Sequence, residues 1–86
     1  MNKKGNSTKE LLALIRGTHC MSGGGLADYY AAKGAINAMR SDNPLAGVRH
    51  HLKNYRVSVF GTPDGIRVIN TEVGKELILR ARGPRA

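Results

Sequence analysis

The first half of the chain is patterned for helices. An apolar stripe at helical spacing occupies residues 11–15, after Ser7 and Thr8, either of whose hydroxyls can cap a helix, and it stops at Gly17. Residues 26–32 and 35–40 are rich in alanine and favour helix, but a Lys-Gly pair interrupts them. The pattern therefore predicts one helix near the start, followed by two short helices or one bent helix.

The next helical segment has the sharpest start signal in the chain. Asn43 can cap the free amides of the first turn, and Pro44 suits the first helical position, where its missing N–H is not needed. A helix over 44–54 has an apolar stripe on one side: Leu45, Val48, Leu52 and Tyr55. The opposite side carries small and then cationic or hydrogen-bonding residues: Ala46, Gly47, His50, Lys53 and Asn54. Arg49 and His51 flank the stripe, so the predicted helix is amphipathic and its outward side has no acid.

The last third of the chain alternates as strands do. In RVSVF and GIRVI, residues 56–60 and 65–69, four apolar side chains can face a core: Val57, Val59, Ile66 and Val68. Two arginines and a serine face outward: Arg56, Arg67 and Ser58. Between them, GTPDG has proline and glycine where a tight turn requires them. A further apolar run, 76–81, fits a strand better than a short terminal helix because Gly74 is badly placed inside a helix. The predicted fold is α+β: three to four short helices followed by a β-hairpin, with a third strand favoured at the end.

Length limits the organisation to a single unit. The chain has 86 residues, the size of one small domain, and this length favours one domain over two independent ones. We expect a flexible basic N-terminus over 1–7, one domain over 8–81 and a basic tail over 82–86. Cys20 has no second cysteine with which to pair, so the core alone must hold the fold, as suits a reducing compartment.

The charge balance narrows the kind of partner. Fourteen Lys and Arg against six Asp and Glu give a formal charge of +8, which favours an anionic partner. Nucleic acid is the first expectation, followed by an anionic membrane surface or an acidic protein. No apolar run is long enough to cross a bilayer, and the start MNKKGNSTKE lacks the hydrophobic core of a signal peptide, so we expect a soluble cytoplasmic protein.

Catalytic and metal chemistry have weak support. The adjacent pairs His19-Cys20 and His50-His51 offer zinc ligands, but neighbouring residues rarely aim at one ion, and structural sites prefer spaced pairs. Cys20 has no identifiable orienting group for nucleophilic catalysis and is more typical of an inert packing residue. We therefore expect neither an enzyme, nor a metal, nor a cofactor.

Two further features have a plainer explanation than ligand binding. The glycine-rich stretch 22–25 lacks the phosphate-binding pattern and no apolar strand precedes it, which is typical of a flexible connector. Tyr29 and Tyr30 have rings that can stack on bases, but at helical spacing beside Leu26 at least one of them is expected in the core.

The segment AINAMRSDNPLAGVRHHLKNYRVSV, followed by GTPDG, resembles the winged helix-turn-helix proteins, especially the small ones of phages and mobile elements. In that family the helix before the turn crosses the DNA backbone, the next helix enters the major groove, and the hairpin is the wing. By position, the resemblance implies a positioning helix at 35–40, a turn at 41–43, a recognition helix at 44–54 and a wing at 56–69. It covers roughly 8–81 as an order of elements and 34–69 in local detail. Asp42 departs from the pattern, since glycine is usual there.

The chemistry of the residues also fits DNA without the family. Small side chains leave room for close approach, and donors suited to base edges follow them: Ala46 and Gly47, then His50, Lys53 and Asn54. Three arginines nearer the margins suit phosphates, whose contacts add affinity but no sequence information: Arg49, Arg56 and Arg67. A solvated face on a basic protein has a similar composition. The coincidence of cap, small residues, acid-free side and adjacent hairpin favours a functional surface.

The sequence thus predicts a protein that binds double-stranded DNA, as a transcriptional regulator or accessory factor. One small recognition helix usually needs a homodimer or another partner to reach specific affinity. Two alternatives stay open: a basic protein-interaction module that inhibits an acidic host enzyme, and an RNA-binding protein that uses the sheet and the basic tail.

Overall fold

The computed structural model describes residues 7–20 and 25–80. Three helices precede a three-stranded antiparallel sheet in which the strands lie in chain order. The elements are α1 (Thr8–Ile15), α2 (Gly25–Ala38), α3 (Pro44–Leu52), β1 (Val57–Thr62), β2 (Gly65–Asn70) and β3 (Lys75–Arg80). The α+β class and the third strand are confirmed. The predictions of a flexible N-terminus, a glycine connector and a basic tail fall mostly on residues outside the described ranges.

Two helices begin at caps that the sequence predicts, and of the two candidates for α1 the cap is Ser7, not Thr8. The hydroxyl of Ser7 accepts the N–H of Glu10 at 3.2 Å and opens α1. The Oδ1 atom of Asn43 accepts the N–H of Ala46 at 3.3 Å and opens α3. Each bond satisfies an amide that the first turn of a helix leaves without an intrahelical partner.

Helix α2 is continuous where the sequence left open two short helices or one bent helix. It passes through Gly34 without a break. Ala32 and Ala35 are fully buried on its inner side, and this packing outweighs the cost of about 1 kcal/mol for one glycine in a helix. The predicted positioning helix over 35–40 is therefore the last turn of a longer helix that ends at Ala38, and Met39 and Arg40 lie in the turn after it.

The core lies between the inner sides of the helices and one face of the sheet. Its apolar members come from α1, α2 and α3, from β2 and β3, and from the connections that follow α2 and α3: Leu11, Leu14, Ile15, Ala32, Ala35, Met39, Val48, Leu52, Tyr55, Ile66, Val68 and Leu79. Helix α1 packs against α2, β2 and β3, whereas α3 packs against α2 and β1. Helix α3 consequently has α2 along one edge and the hairpin along the other.

The hairpin of β1 and β2 has the tight turn that the sequence predicts. Thr62 pairs with Gly65 across a Pro-Asp turn, and Oγ1 of Thr62 accepts the N–H of Gly65 at 3.0 Å. Ile66 and Val68 face the core while Arg67 is exposed, so the alternation along this strand is confirmed.

The connection between α1 and α2 is held against the chain that leaves α3. The N–H of Cys20 donates to the carbonyl of Asn54 at 2.7 Å, and the N–H of Arg56 donates to the carbonyl of Thr18 at 2.8 Å. This short antiparallel bridge fixes the backbone at the junction of α3 and β1.

Three large side chains of α2 lie at the surface. Leu26, Tyr29 and Tyr30 are 66%, 38% and 60% exposed, so the expectation that one tyrosine lies in the core is wrong. The inward position on that turn belongs instead to Asp28, which accepts a hydrogen bond from the hydroxyl of Tyr55.

Candidate nucleic-acid interface

The candidate interface is the outward side of α3. Val48 and Leu52 anchor the helix in the core, and the helix contains no acidic residue. Four of the predicted site residues are exposed along or just beyond it: Ala46, His50, Lys53 and Asn54. The helix ends at Leu52 rather than at residue 54, so the last two of these four follow the helix instead of lying within it.

Gly47 does not lie on that outward side. A Cβ built on Gly47 would stand 2.6 Å from the Cβ of Ala38 on α2, far inside the normal carbon–carbon contact distance. The absence of a side chain therefore lets the two helices approach closely, and the expected placement of Gly47 on the exposed side is corrected. The room that this glycine leaves is occupied by α2.

A second glycine brings the same two helices together. A Cβ built on Gly34 of α2 would stand 2.5 Å from the imidazole of His51, so that ring lies over the α2 backbone. The rings of His50 and His51 meet edge to face, with 5.2 Å between their centroids. One edge of α3 is thus fixed to α2 at two positions.

The other edge of α3 is tied to the sheet by a hydrogen bond. The Nη2 atom of Arg49 donates to the carbonyl of Val59 on β1 at 3.2 Å. A guanidinium carries five N–H donors, so this bond leaves the exposed remainder of the group able to contact an anion. Arg49 consequently lies between α3 and the hairpin, at the margin where the sequence places it.

The other two predicted phosphate-binding arginines are each paired with a carboxylate. Nε of Arg56 lies 2.9 Å from Oε2 of Glu72. Nη2 and Nε of Arg67 lie 2.7 and 2.9 Å from Oε1 of Glu76 on the neighbouring strand. Both pairs are about half exposed, so water screens them. A phosphate would have to compete with a glutamate for either arginine.

The sequence alone did not reveal these ion pairs. Alternation indicates that Arg67 faces outward, but the residue beside it depends on the register between β2 and β3. A strand beginning at Lys75 after a four-residue turn places Glu76 diagonally across from Arg67. That turn length is the signal that would have found the pair.

A buried hydrogen bond lies beneath the junction of α3 and β1. The hydroxyl of Tyr55 donates to Oδ1 of Asp28 at 2.6 Å, and the two residues are only 6% and 8% exposed. Burial, together with the bond to Asp28 and its charge, raises the pKa of Tyr55 far above its usual value near 10. The ring of His19 packs edge to face on Tyr55, with 4.7 Å between centroids. This cluster fixes the end of the candidate interface to α2.

Within residues 7–20 and 25–80, no three His, Cys, Asp or Glu side chains are grouped so that they could hold a metal ion. Cys20 is exposed, which corrects its interpretation as a packing residue. No helix in the described part of the chain is long and apolar enough to cross a membrane.

Comparison with known proteins assigns no family to the chain. It matches no family model, no curated protein and no solved structure. The resemblance to winged helix-turn-helix proteins therefore depends on the order of the elements and on the residues of α3 and the hairpin.

Proposed function

We propose that the protein binds duplex DNA, with the outward side of α3 in the major groove and the β1–β2 hairpin beside it as a wing. The observation that carries the proposal is the acid-free outward side of a helix that is fixed along both edges. Gly47 meets α2 on one edge and Arg49 reaches Val59 on the other. The major groove admits an α-helix, and a helix fixed in this way presents its donors in one orientation.

The exposed residues divide into two roles under this proposal. His50 and Asn54 supply hydrogen bonds suited to base edges, and Ala46 permits close approach. Lys53 and Arg49 contact base edges or phosphates as cations. The protein then acts as a regulator of transcription or as an accessory factor on DNA, as the resemblance implies.

The proposal is tested by titrating a random-sequence duplex with protein over a range of salt concentrations. Lys53→Ala should weaken binding and reduce the slope of log K against log salt by about 0.9, the contribution of one phosphate contact. Lys9→Ala is the matched control, because it removes the same charge from α1. Equal losses in the two variants would mean that only net charge matters. Failure of the unaltered protein to bind any duplex at low salt would overturn the proposal.

Selection of bound sequences from a random duplex pool separates the two roles. His50→Ala and Asn54→Ala should change which sequences are preferred, whereas Arg49→Ala should weaken binding to all of them alike. If all three variants select the same DNA sequences as the wild type, α3 does not read the bases.

A second candidate function, RNA binding by the sheet, is favoured by one observation. Phe60 is 49% exposed and stands directly opposite Arg67 on the outer face of the hairpin. Unpaired bases stack on exposed rings and on guanidinium planes. If the sheet binds RNA, Phe60→Ala weakens binding of single-stranded RNA and leaves duplex DNA unaffected, whereas Lys53→Ala does the reverse.

A further inference from the structure

The two edges of the sheet are covered differently. On β1, the carbonyl of Val59 receives a hydrogen bond from Arg49, and α3 packs alongside. On β3, no other strand of the described residues pairs with the outer edge. An open cleft of about 280 Å³ runs between that edge and α1, lined by Glu10, Ala13, Leu14, Lys75, Glu76 and Leu77. An uncovered edge of this kind is a template for another strand.

The hairpin register determines which backbone groups face each neighbour. A two-residue turn closes on a pair that exchanges hydrogen bonds, here Thr62 and Gly65. Because such pairs alternate along an antiparallel ladder, Val59 and Val68 form a pair without mutual hydrogen bonds. The hydrogen bond from Arg49 to the carbonyl of Val59 supports this assignment, because a carbonyl at such a pair points away from β2 and is available to Arg49.

The same alternation continues onto β3. Val68 turns its N–H and C=O toward Leu77, so the backbone groups of Glu76 and Ile78 point away from the sheet. The turn between β2 and β3 supports this assignment. Gly74 donates its N–H to the carbonyl of Asn70 at 2.9 Å, and the turn closes on the pair of Asn70 with Lys75, the first residue of β3. No further strand of the described residues pairs with the outward backbone groups of Glu76 and Ile78.

We propose that two copies of the chain associate by antiparallel pairing of their β3 strands about a two-fold axis at Ile78. The strand reads KELILR. With Ile78 facing its own copy, Leu77 faces Leu79 and Glu76 faces Arg80 of the second chain, so apolar residues meet at the centre and an acid meets a base on either side. About six backbone hydrogen bonds form, and the two sheets become one continuous sheet.

This self-complementarity identifies a second copy as the occupant of the edge. An unrelated peptide would need no such symmetry of charge about the central isoleucine. The charge of +8 on each chain opposes association, so the dimer should strengthen as salt rises. DNA binding changes with salt in the opposite direction, so the two proposals succeed or fail separately.

Sedimentation of the full chain over a wide concentration range, without DNA, tests the pairing. Ile78→Pro removes the outward N–H without removing a bond to β2, a position where an edge strand accepts proline. It should raise the dimer dissociation constant by on the order of tenfold or more. Ile78→Val, which keeps the N–H and a branched side chain, is the matched control and should dimerise normally. A wild-type chain that stays monomeric at millimolar concentration overturns the proposal.

Hydrogen exchange on the wild-type chain provides a measurement that needs no variant. The amide of Ile78 should become protected as protein concentration rises, while the exchange of Ser58, whose N–H faces β2 within one chain, stays independent of concentration. An Ile78 amide whose exchange ignores concentration would count against pairing through β3.

Charge exchange tests the register. Glu76→Lys and Arg80→Glu should each weaken the dimer, and the double variant should restore it. Residues 76 and 80 of one strand lie about 13 Å apart, too far for a direct ion pair between them within one chain. The ion pair of Glu76 with Arg67 is lost in Glu76→Lys and in the double variant alike, so its loss cannot account for a rescue of the one by the other. A double variant that dimerises no more tightly than the single variants would refute pairing centred on Ile78.

Discussion

The outward side of α3 and the sheet side of the protein both expose cations, but those cations differ in what already holds them. Lys53 and Arg49 have no carboxylate partner among the described residues, whereas Arg56 and Arg67 are each bonded to a glutamate. The sequence offers all four as contacts for an anion. The structure separates these four into two uncompensated cations on the α3 side and two arginines, Arg56 and Arg67, that are neutralised locally on the sheet side.

The difference shows that the count of cations is a poor guide to where a polyanion will bind. An exposed ion pair contributes only about 0–1 kcal/mol to stability, so a phosphate can displace the glutamate. The glutamate nevertheless repels the incoming phosphate, and that repulsion reduces the gain from the arginine. Uncompensated cations on α3 have no such loss, and they should dominate the affinity for DNA.

The two sides also differ in rigidity. Helix α3 is fixed by a backbone approach at Gly47 and by the Tyr55–Asp28 hydrogen bond at its end. The arginines on the sheet side act through long side chains held by screened contacts. Substitutions that disturb the helix should therefore cost more than substitutions that release an arginine.

Gly47→Val should have the largest effect, because it attacks the position of α3 and leaves both arginine pairs untouched. The new side chain would collide with the Cβ of Ala38, which cannot move without the α2 backbone. Overpacking of this kind costs roughly 2–3 kcal/mol, and DNA binding should fall because α3 is displaced. Chemical denaturation and duplex titration measure the two effects.

Gly34→Ala is the control for that prediction. Its Cβ would meet the ring of His51, the end of a side chain that can rotate away, while alanine favours helix by about 1 kcal/mol over glycine. The variant should be as stable as the wild type or more so. Equal destabilisation by both variants would show that the contact of Gly47 with Ala38 is not the tighter one.

Tyr55→Phe should have the next largest effect, because it loosens the junction between α3 and the sheet. It leaves the buried carboxylate of Asp28 without its donor, at a cost of about 1–3 kcal/mol. Tyr30→Phe, which removes a hydroxyl from an exposed ring, should cost little. Thermal unfolding of the two variants at neutral pH compares them, and equal stabilities would contradict a stabilising role for the buried bond.

The same hydroxyl also predicts how stability changes in alkali. Folding raises the pKa of Tyr55 above its ordinary value near 10, so above that pH the unfolded chain loses this proton while the folded chain keeps it. Stability should therefore fall as pH rises above about 10, by up to about 1.4 kcal/mol per pH unit from this group. In Tyr55→Phe this contribution to the slope of stability against pH should disappear. An unchanged slope in that variant would show that the Tyr55 hydroxyl is not its cause.

Much of the fold could be predicted from the sequence because its signals are local. The caps at Ser7 and Asn43, the turn between β1 and β2 and the alternation of β2 each depend on a few neighbouring residues. The continuity of α2 could not be predicted in this way, since it depends on burial against other elements that overrides the weak preference of Gly34.

The candidate site was harder to predict for the same reason. Helical periodicity correctly predicted that His50 and Lys53 face outward. The position of Gly47 could not be predicted in this way, because it depends on how closely α2 approaches α3. The bonds between arginine and glutamate required the register of β3 and the path of the turn before it. Periodicity indicates which side chains face outward, and only tertiary contacts determine which of them remain available.

Glu72→Gln should have the smallest effect on folding and is the most direct test of local neutralisation. It releases Arg56 from its ion pair and should cost less than about 1 kcal/mol of stability. If Arg56 lies near the DNA backbone, affinity for any duplex should rise a few-fold and the salt slope should steepen by up to about 0.9, because one more cation becomes available to a phosphate. The double variant Arg56→Gln/Glu72→Gln keeps the net charge of the wild type and should lose this gain. If the gain in affinity persists in the double variant, its cause is the loss of the repulsion between Glu72 and DNA. If neither variant gains affinity, Arg56 lies outside the DNA interface.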